Sequence, residues 1–172
     1  LYTDASTRCG TARVDLPFTG WGCGFVDLDH DGDLDLAVAT GRVFRGSVDP
    51  ASKQGAFWDR YAERNLVFLN DGSGQFEDVS DRAGAFASRP EVTRGLAFGD
   101  LDDDGDVDLV TNDIGNRLRI FRNTHLDPGR APSDDHWLQV RAMDGPRIGI
   151  GAVVALRTPS GTLVRPVLRS YS

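Results

Sequence analysis

Between Leu34 and Ala39 the chain alternates: Leu34, Leu36 and Val38 take turns with Asp35, Ala37 and Ala39. A period of two sends neighbouring side chains to opposite faces of a strand. Phe25 and Phe98 sit in short apolar runs, each just ahead of an acidic stretch. The order strand, acidic loop, strand is therefore expected twice. The run LVFLN (66–70) leads into Asp71-Gly72-Ser73-Gly74, and Gln75–Val79 resumes a strand pattern. Turn residues between two such runs predict a hairpin. The whole unit reads as a small antiparallel sheet of about four strands. The segment Ala51–Arg64 predicts a short helix.

From Pro128 the character changes. DPGRAPSDD (127–135) has the composition of a linker. HWLQVRA (136–142), GIGAVVALR (149–157) and TLVRPVLRS (162–170) read as three strands, with a turn at Thr158–Gly161. The expected fold class is all-β. Strand-and-loop units cover residues 1–127, with an insert at about 43–64, and a different β module begins over 128–172.

The acidic units repeat without a gap. GCGFVDLDHDGDLDLAVAT (Gly22–Thr40) aligns with GLAFGDLDDDGDVDLVTND (Gly95–Asp113) at an offset of 73 residues. LVFLND (66–71) then resembles LRIFRNT (118–124). Asp35 to Asn70 is 35 residues and Asp108 to Asn123 is 15, so the first copy carries 20 extra residues.

Charge sharpens this picture. The 172-residue chain has 26 acidic residues against 19 Lys and Arg, a net −7. Eleven of the acids lie in 27–35 and 100–108, so the remainder is slightly basic. Local acidity of this kind points to a bound cation rather than an acidic surface. Without a clustered basic stripe, nucleic acid is not an expected partner. No apolar run approaches the ~20 residues that span a bilayer. The chain opens at Leu1 and its one Met is Met143, which predicts a processed or excised chain.

The ladders read Asp27-x-Asp29-x-Asp31-Gly32-Asp33-x-Asp35 and Asp100-x-Asp102-x-Asp104-Gly105-Asp106-x-Asp108. Calcium takes six to eight oxygens at about 2.3–2.6 Å, and acids at alternate places of a tight loop can turn to one centre. Glycine at the sixth place allows the sharp turn. Side-chain ligands are expected from places one, three, five and nine, and a backbone carbonyl from Asp33 or Asp106. Two calcium sites follow. An EF-hand needs a glutamate at place twelve between helices. Here that place is Val38 or Thr111, in strand-like runs. A solvated acidic turn explains one copy better than two, because unit charges about 4 Å apart cost on the order of 4 kcal/mol at an effective dielectric near 20. Magnesium, which favours octahedral geometry and keeps its waters, is the weaker candidate. His30 and Asp103, at non-ligand places, are expected to be exposed.

Cys9 and Cys23 read either as two buried thiols or as a disulfide worth about 3 kcal/mol. Trp21 reads as core packing. Phe57, Trp58 and Tyr61, in the insert, are the candidate interface, since loops on rigid scaffolds carry function and aromatics are enriched at hot spots. His30, His125 and His136 are scattered, and no nucleophile elbow, phosphate loop or His-x-x-x-His is present. His136 is expected to cap or pack. The expectation is therefore no catalysis.

The D-x-D-x-D-G-x-x-D phrase between strands resembles the FG-GAP or VCBS repeat of integrin-α-type β-propellers. GWGCGFVDLDHDGDLDLAVATG and NLVFLNDGSGQFEDVSDRAG are similar to the branch that includes cartilage acidic protein. HWLQVRA, RIGIGAVVAL and RSYS resemble the ASPIC/UnbV domain that follows the propeller there, although GPRIGIG keeps only Arg147 of that domain's usual Asn-Arg. The resemblance implies a partial propeller of about two blades, calcium in the blade turns and a fragment of a longer protein. It also implies an extracellular, periplasmic or cell-surface setting, with a protein or glycan partner or self-assembly with further blades. The expected role is adhesion or surface assembly. The alternative is a carbohydrate-binding or calcium-assisted polysaccharide-processing propeller.

Overall fold

A computed structural model describes residues 1–14, 16–125, 137–159 and 161–167. The described chain is all-β. Strands β1 (Gly20–Val26), β2 (Asp35–Thr40), β3 (Leu66–Asn70) and β4 (Phe76–Asp78) form one antiparallel sheet in that order. Strands β5 (Thr93–Gly99), β6 (Asp108–Asp113) and β7 (Leu118–Phe121) form a second. The registers place Leu36 opposite Phe68 and Leu109 opposite Phe121, so the ungapped repeat in sequence is a repeat in space.

The alternation in β2 has an unexpected polarity. Asp35, Ala37 and Ala39 are fully buried, whereas Leu36 and Val38 are half-buried. The face toward the second sheet carries the small residues because the sheets approach closely. A Cβ on Gly24 of β1 would meet the Phe98 ring of β5 at 2.1 Å. The core between the sheets is Ala37, Ala39, Val67, Val79, Phe86, Ala87, Leu96 and Leu109. Phe25, Leu118 and Ile120 remain exposed on outer faces.

A polar tie runs beside this core. Glu63 and Glu91 exchange backbone hydrogen bonds of 2.9 and 2.8 Å. Both side chains are buried. The Glu63 carboxylate accepts from Arg42 Nε (3.1 Å) and the Thr19 N–H (2.9 Å), and Glu91 is paired with Arg119. Pairing of this kind offsets much of the cost of burying a carboxylate.

Four expectations are corrected. The insert forms no α-helix; a single 3-10 turn spans Trp58–Arg60. The Asp59 carboxylate accepts from the Gln54 N–H and the Ser52 hydroxyl, each at 2.7 Å, which satisfies those groups outside a helix. Residues 137–142 are not a strand. Trp137 instead lies against Gly105 of the second acidic loop. Cys9 and Cys23 are free thiols and neither is buried. Cys9 lies near Thr11 Oγ1 (3.4 Å) in a turn fixed to β4 by the Phe76 N–H, while Cys23 is held in the β1–β2 ladder. Trp21 is 47% exposed; its indole donates to the Gly41 carbonyl under the Arg94 guanidinium.

In the C-terminal part, β8 (Met143–Asp144) pairs with β9 (Arg147–Ile148), and β10 (Val153–Thr158) with β11 (Gly161–Pro166). The expected strand from Gly149 starts four residues late, because the Ala152 N–H turns back to the Gly149 carbonyl. The expected linker (127–135), His136 and the closing RSYS lie outside the described residues. No helix among the described residues is long and apolar enough to cross a membrane.

Candidate metal centres

The two acidic loops share one backbone. The fourth residues, His30 and Asp103, have φ of 60° and 59°, and the sixth, Gly32 and Gly105, have 94° and 96°. Two left-handed residues so close together bend each loop tightly, and glycine takes the second without a side-chain clash. The fifth-place carboxylates shape the turn: Asp31 Oδ1 accepts from the Asp33 N–H (2.8 Å) and Asp104 Oδ1 from the Asp106 N–H (2.9 Å).

The ninth-place aspartates close each loop onto the sheet. Asp35 accepts the N–H of Leu28 (2.8 Å) and of Asn70 (2.9 Å), one per oxygen. Asp108 accepts the N–H of Leu101 (3.1 Å) and of Asn123 (2.8 Å) in the same way. Each carboxylate thus staples the second loop residue to the chain at the end of the third strand, Asn70 closing β3 and Asn123 lying two residues past β7.

Carboxylate oxygens of Asp27, Asp29 and Asp35 lie within 4.8 Å of one another, as do those of Asp100, Asp102 and Asp104. Oxygens bound to one calcium at about 2.3–2.6 Å stand no more than about 5 Å apart. Both clusters could therefore hold a metal. They use places one, three and nine in the first loop, and one, three and five in the second. Asp31 and Asp108 fall outside these groups. Asp33 lies against Gly72, and the buried Asp106 side chain meets His30 Nε2 at 2.9 Å.

The first loop fits a cation well. Asp27 Oδ1 and Asp29 Oδ1 are buried without a hydrogen-bond partner among the described residues. Burial raises the pKa of both carboxyls. Burial also pushes Asp35 up to about 6, against the lowering pull of the Asn70 and Leu28 N–H groups. Removal from water raises a carboxyl in this way, and a divalent cation at the carboxylates would oppose it.

The second loop is already satisfied. Arg122 Nε donates to Asp102 Oδ2 and Nη2 to Asp104 Oδ2, both at 2.6 Å. Asp100 accepts the N–H of Asp104 (3.2 Å) and of Gly105 (3.1 Å). The Arg122 hydrogen bond holds the Asp102 pKa down. Arg122 escaped the sequence reading, although a signal was there. Matching Asn70 with Asn123 places Leu69 against Arg122.

With this loop geometry in place, the comparison with known families is specific. Residues 56–111 match the FG-GAP-like repeat. This FG-GAP-like stretch runs from the insert through β3, β4 and β5, takes in the whole second acidic loop and ends in β6. It therefore joins the outer strands of one sheet to the inner strands of the next. No curated protein matches the chain.

His30 is a further correction. Its side chain is only 10% exposed, because it reaches from the first loop to Asp106 of the second and stacks near His125 at 5.7 Å. Asp103 is exposed, as expected. The C-terminal part also touches the loops: Arg165 Nη2 donates to the Gly32 carbonyl (2.9 Å) and lies 3.8 Å from Asp27 Oδ2. Phe57, Trp58 and Tyr61 form one cluster with ring centroids 4.9–5.9 Å apart. The Arg45 guanidinium sits 5.7 Å over the Phe57 ring, and its Nε donates to Tyr61 Oη (3.2 Å).

Proposed function

We propose that the chain is part of a calcium-stabilised, non-enzymatic β-propeller scaffold that serves adhesion or assembly at an extracellular or cell surface. The observation that carries this reading is the first loop: three converging carboxylates, two with buried, unpartnered oxygens. The FG-GAP-like match over 56–111 supports the same reading, since such repeats are typical of surface proteins. The cation would be held by Asp27, Asp29 and Asp35, and by the second trio in loop two. It would supply positive charge where the fold concentrates carboxylates and would lock each loop to its sheet. The exposed Phe25, Leu118 and Ile120 would then meet further blades or a partner.

The test is removal of the cation. A ligand at about 100 times its Kd stabilises by about 2.7 kcal/mol. For a chain of this size that corresponds to roughly 5–10 °C in Tm. Chelation is expected to lower Tm by that amount and to speed proteolysis, and Asp29→Ala is expected to reproduce most of the loss. Unchanged Tm and protease resistance in chelator would sink the calcium reading.

A second reading, a glycan-binding module, is favoured by the insert. Phe57 is 55% exposed and forms, with Trp58, Tyr61 and Arg45, an aromatic platform with a polar rim. Binding on a glycan array that disappears in Phe57→Ala, with Tm unchanged, supports it. Absence of any glycan binding by the native chain returns the role to protein contacts.

A further inference from the structure

We infer that the two acidic loops are unequal cation sites, and that Arg122 occupies the second in place of a cation. The inference rests on the calcium reading of the loops and goes beyond it in assigning Arg122 the role of an internal counter-ion. Four observations carry it.

The loops match in backbone, in the φ of their fourth and sixth residues and in the two N–H groups their ninth aspartates accept. Their difference therefore lies in what meets the carboxylates. In the first loop, Asp27 Oδ1 and Asp29 Oδ1 are buried and unpartnered. In the second, the guanidinium bridges Asp102 and Asp104 with two hydrogen bonds of 2.6 Å. These two residues are two of the three members of the second cluster. The sequence encodes the difference: the residue before Asn123 is Arg122, and the residue before its counterpart Asn70 is Leu69.

A guanidinium fork presents rigid paired donors to carboxylates and keeps its charge at any pH of interest. A cation entering the second loop must first displace it. The side chains of Arg122 and Asp102 are 45% and 43% exposed, so water screens the pair and displacement remains feasible. The first loop has Leu69 at the matching place; the guanidinium that faces it, Arg165, donates to the Gly32 carbonyl and stands 3.8 Å from Asp27 Oδ2, a longer contact than either Arg122 bond. Calcium should therefore fill the first loop first, and the second only at higher concentration. In low calcium Arg122 supplies the counter-charge for Asp102 and Asp104, while the backbone hydrogen bonds of Asp100, Asp104 and Asp108 hold the turn.

The experiment is calorimetric titration of calcium into the full chain and into Asp29→Ala, Asp102→Ala and Arg122→Met. The native chain is expected to show two binding events separated by about tenfold, the scale of two exposed ion pairs at up to about 1 kcal/mol each. Asp29→Ala should remove the tight event and Asp102→Ala the weak one. Arg122→Met should bring the weak event to within about threefold of the tight one and leave the tight event unchanged. Its Tm in chelator should fall below that of the native chain, because Asp102 and Asp104 lose their counter-charge. Two events of equal affinity in the native chain, or a weak event unmoved by Arg122→Met, overturn the inference while leaving the calcium reading intact. If Arg122→Met does not fold in chelator, the two aspartate variants still assign each event. Assignment of the tight event to Asp102 would overturn the inference. No calcium binding by the native chain would instead remove the calcium reading itself.

Discussion

Arg119→Met is expected to destabilise the chain by about 3–5 kcal/mol at neutral pH, the cost of breaking a buried ion pair from one side. Arg119 projects from β7, opposite Thr111 of β6, and pairs with Glu91. The Glu91 side chain is 3% exposed, and the buried Asp113 lies close enough to raise its pKa. Burial is the larger cause of that rise; Arg119 pulls the other way. Without the arginine the folded-state pKa of Glu91 rises further. A raised carboxyl favours folding fully below its unfolded value, near 4.3, and that contribution is lost as pH rises through the folded value. The deficit of Arg119→Met should therefore be greatest at pH 7–8 and shrink toward pH 4. Urea unfolding across that range reads it directly. A deficit independent of pH would show that lost packing against the Phe121 ring, 4.9 Å from the guanidinium, matters more than lost charge.

Asp35→Ala is expected to cost about 2–6 kcal/mol even in chelator. The carboxylate is fully buried and takes one backbone N–H on each oxygen. Its removal strands both donors, at about 1–3 kcal/mol each. This cost is separate from any metal, and Asp108→Ala provides the comparison. Asp108 makes the same two hydrogen bonds but stands outside the second converging trio. Both variants should lower Tm in chelator, and only Asp35→Ala should also abolish the calcium-dependent gain at its loop. Equal loss of that gain in both would mean that the ninth place ligates in both loops.

Much of the fold was legible along the chain. Alternation around Leu36 marked β2, the turn residues at 71–74 marked the hairpin between β3 and β4, and the 73-residue offset marked two equivalent units. These signals are local, because strand period and turn conformation depend on neighbouring residues. The insert failed for a similarly physical reason. Its residues can follow a helical pattern, but Asp59 binds Gln54 and Ser52, and Trp58 packs over Gly115 on a distant turn.

The sites were legible as composition and spacing, but not as chemistry. That ten aspartates stand at matched places in two loops is a property of the sequence alone, and so is the tight turn at Gly32 and Gly105. Which oxygens converge was decided where the chain leaves the third strands, at the Asn70 and Asn123 N–H groups that hold Asp35 and Asp108. Which loop is satisfied was decided by Arg122, brought back by β7 to residues 18 and 20 positions earlier. His30 finds Asp106 across 76 residues, a contact no spacing rule anticipates. A sequence determines which charges a loop carries and how tightly it can bend. Only the packing of one sheet against another determines which of those charges meet a counter-charge and which remain available to a cation.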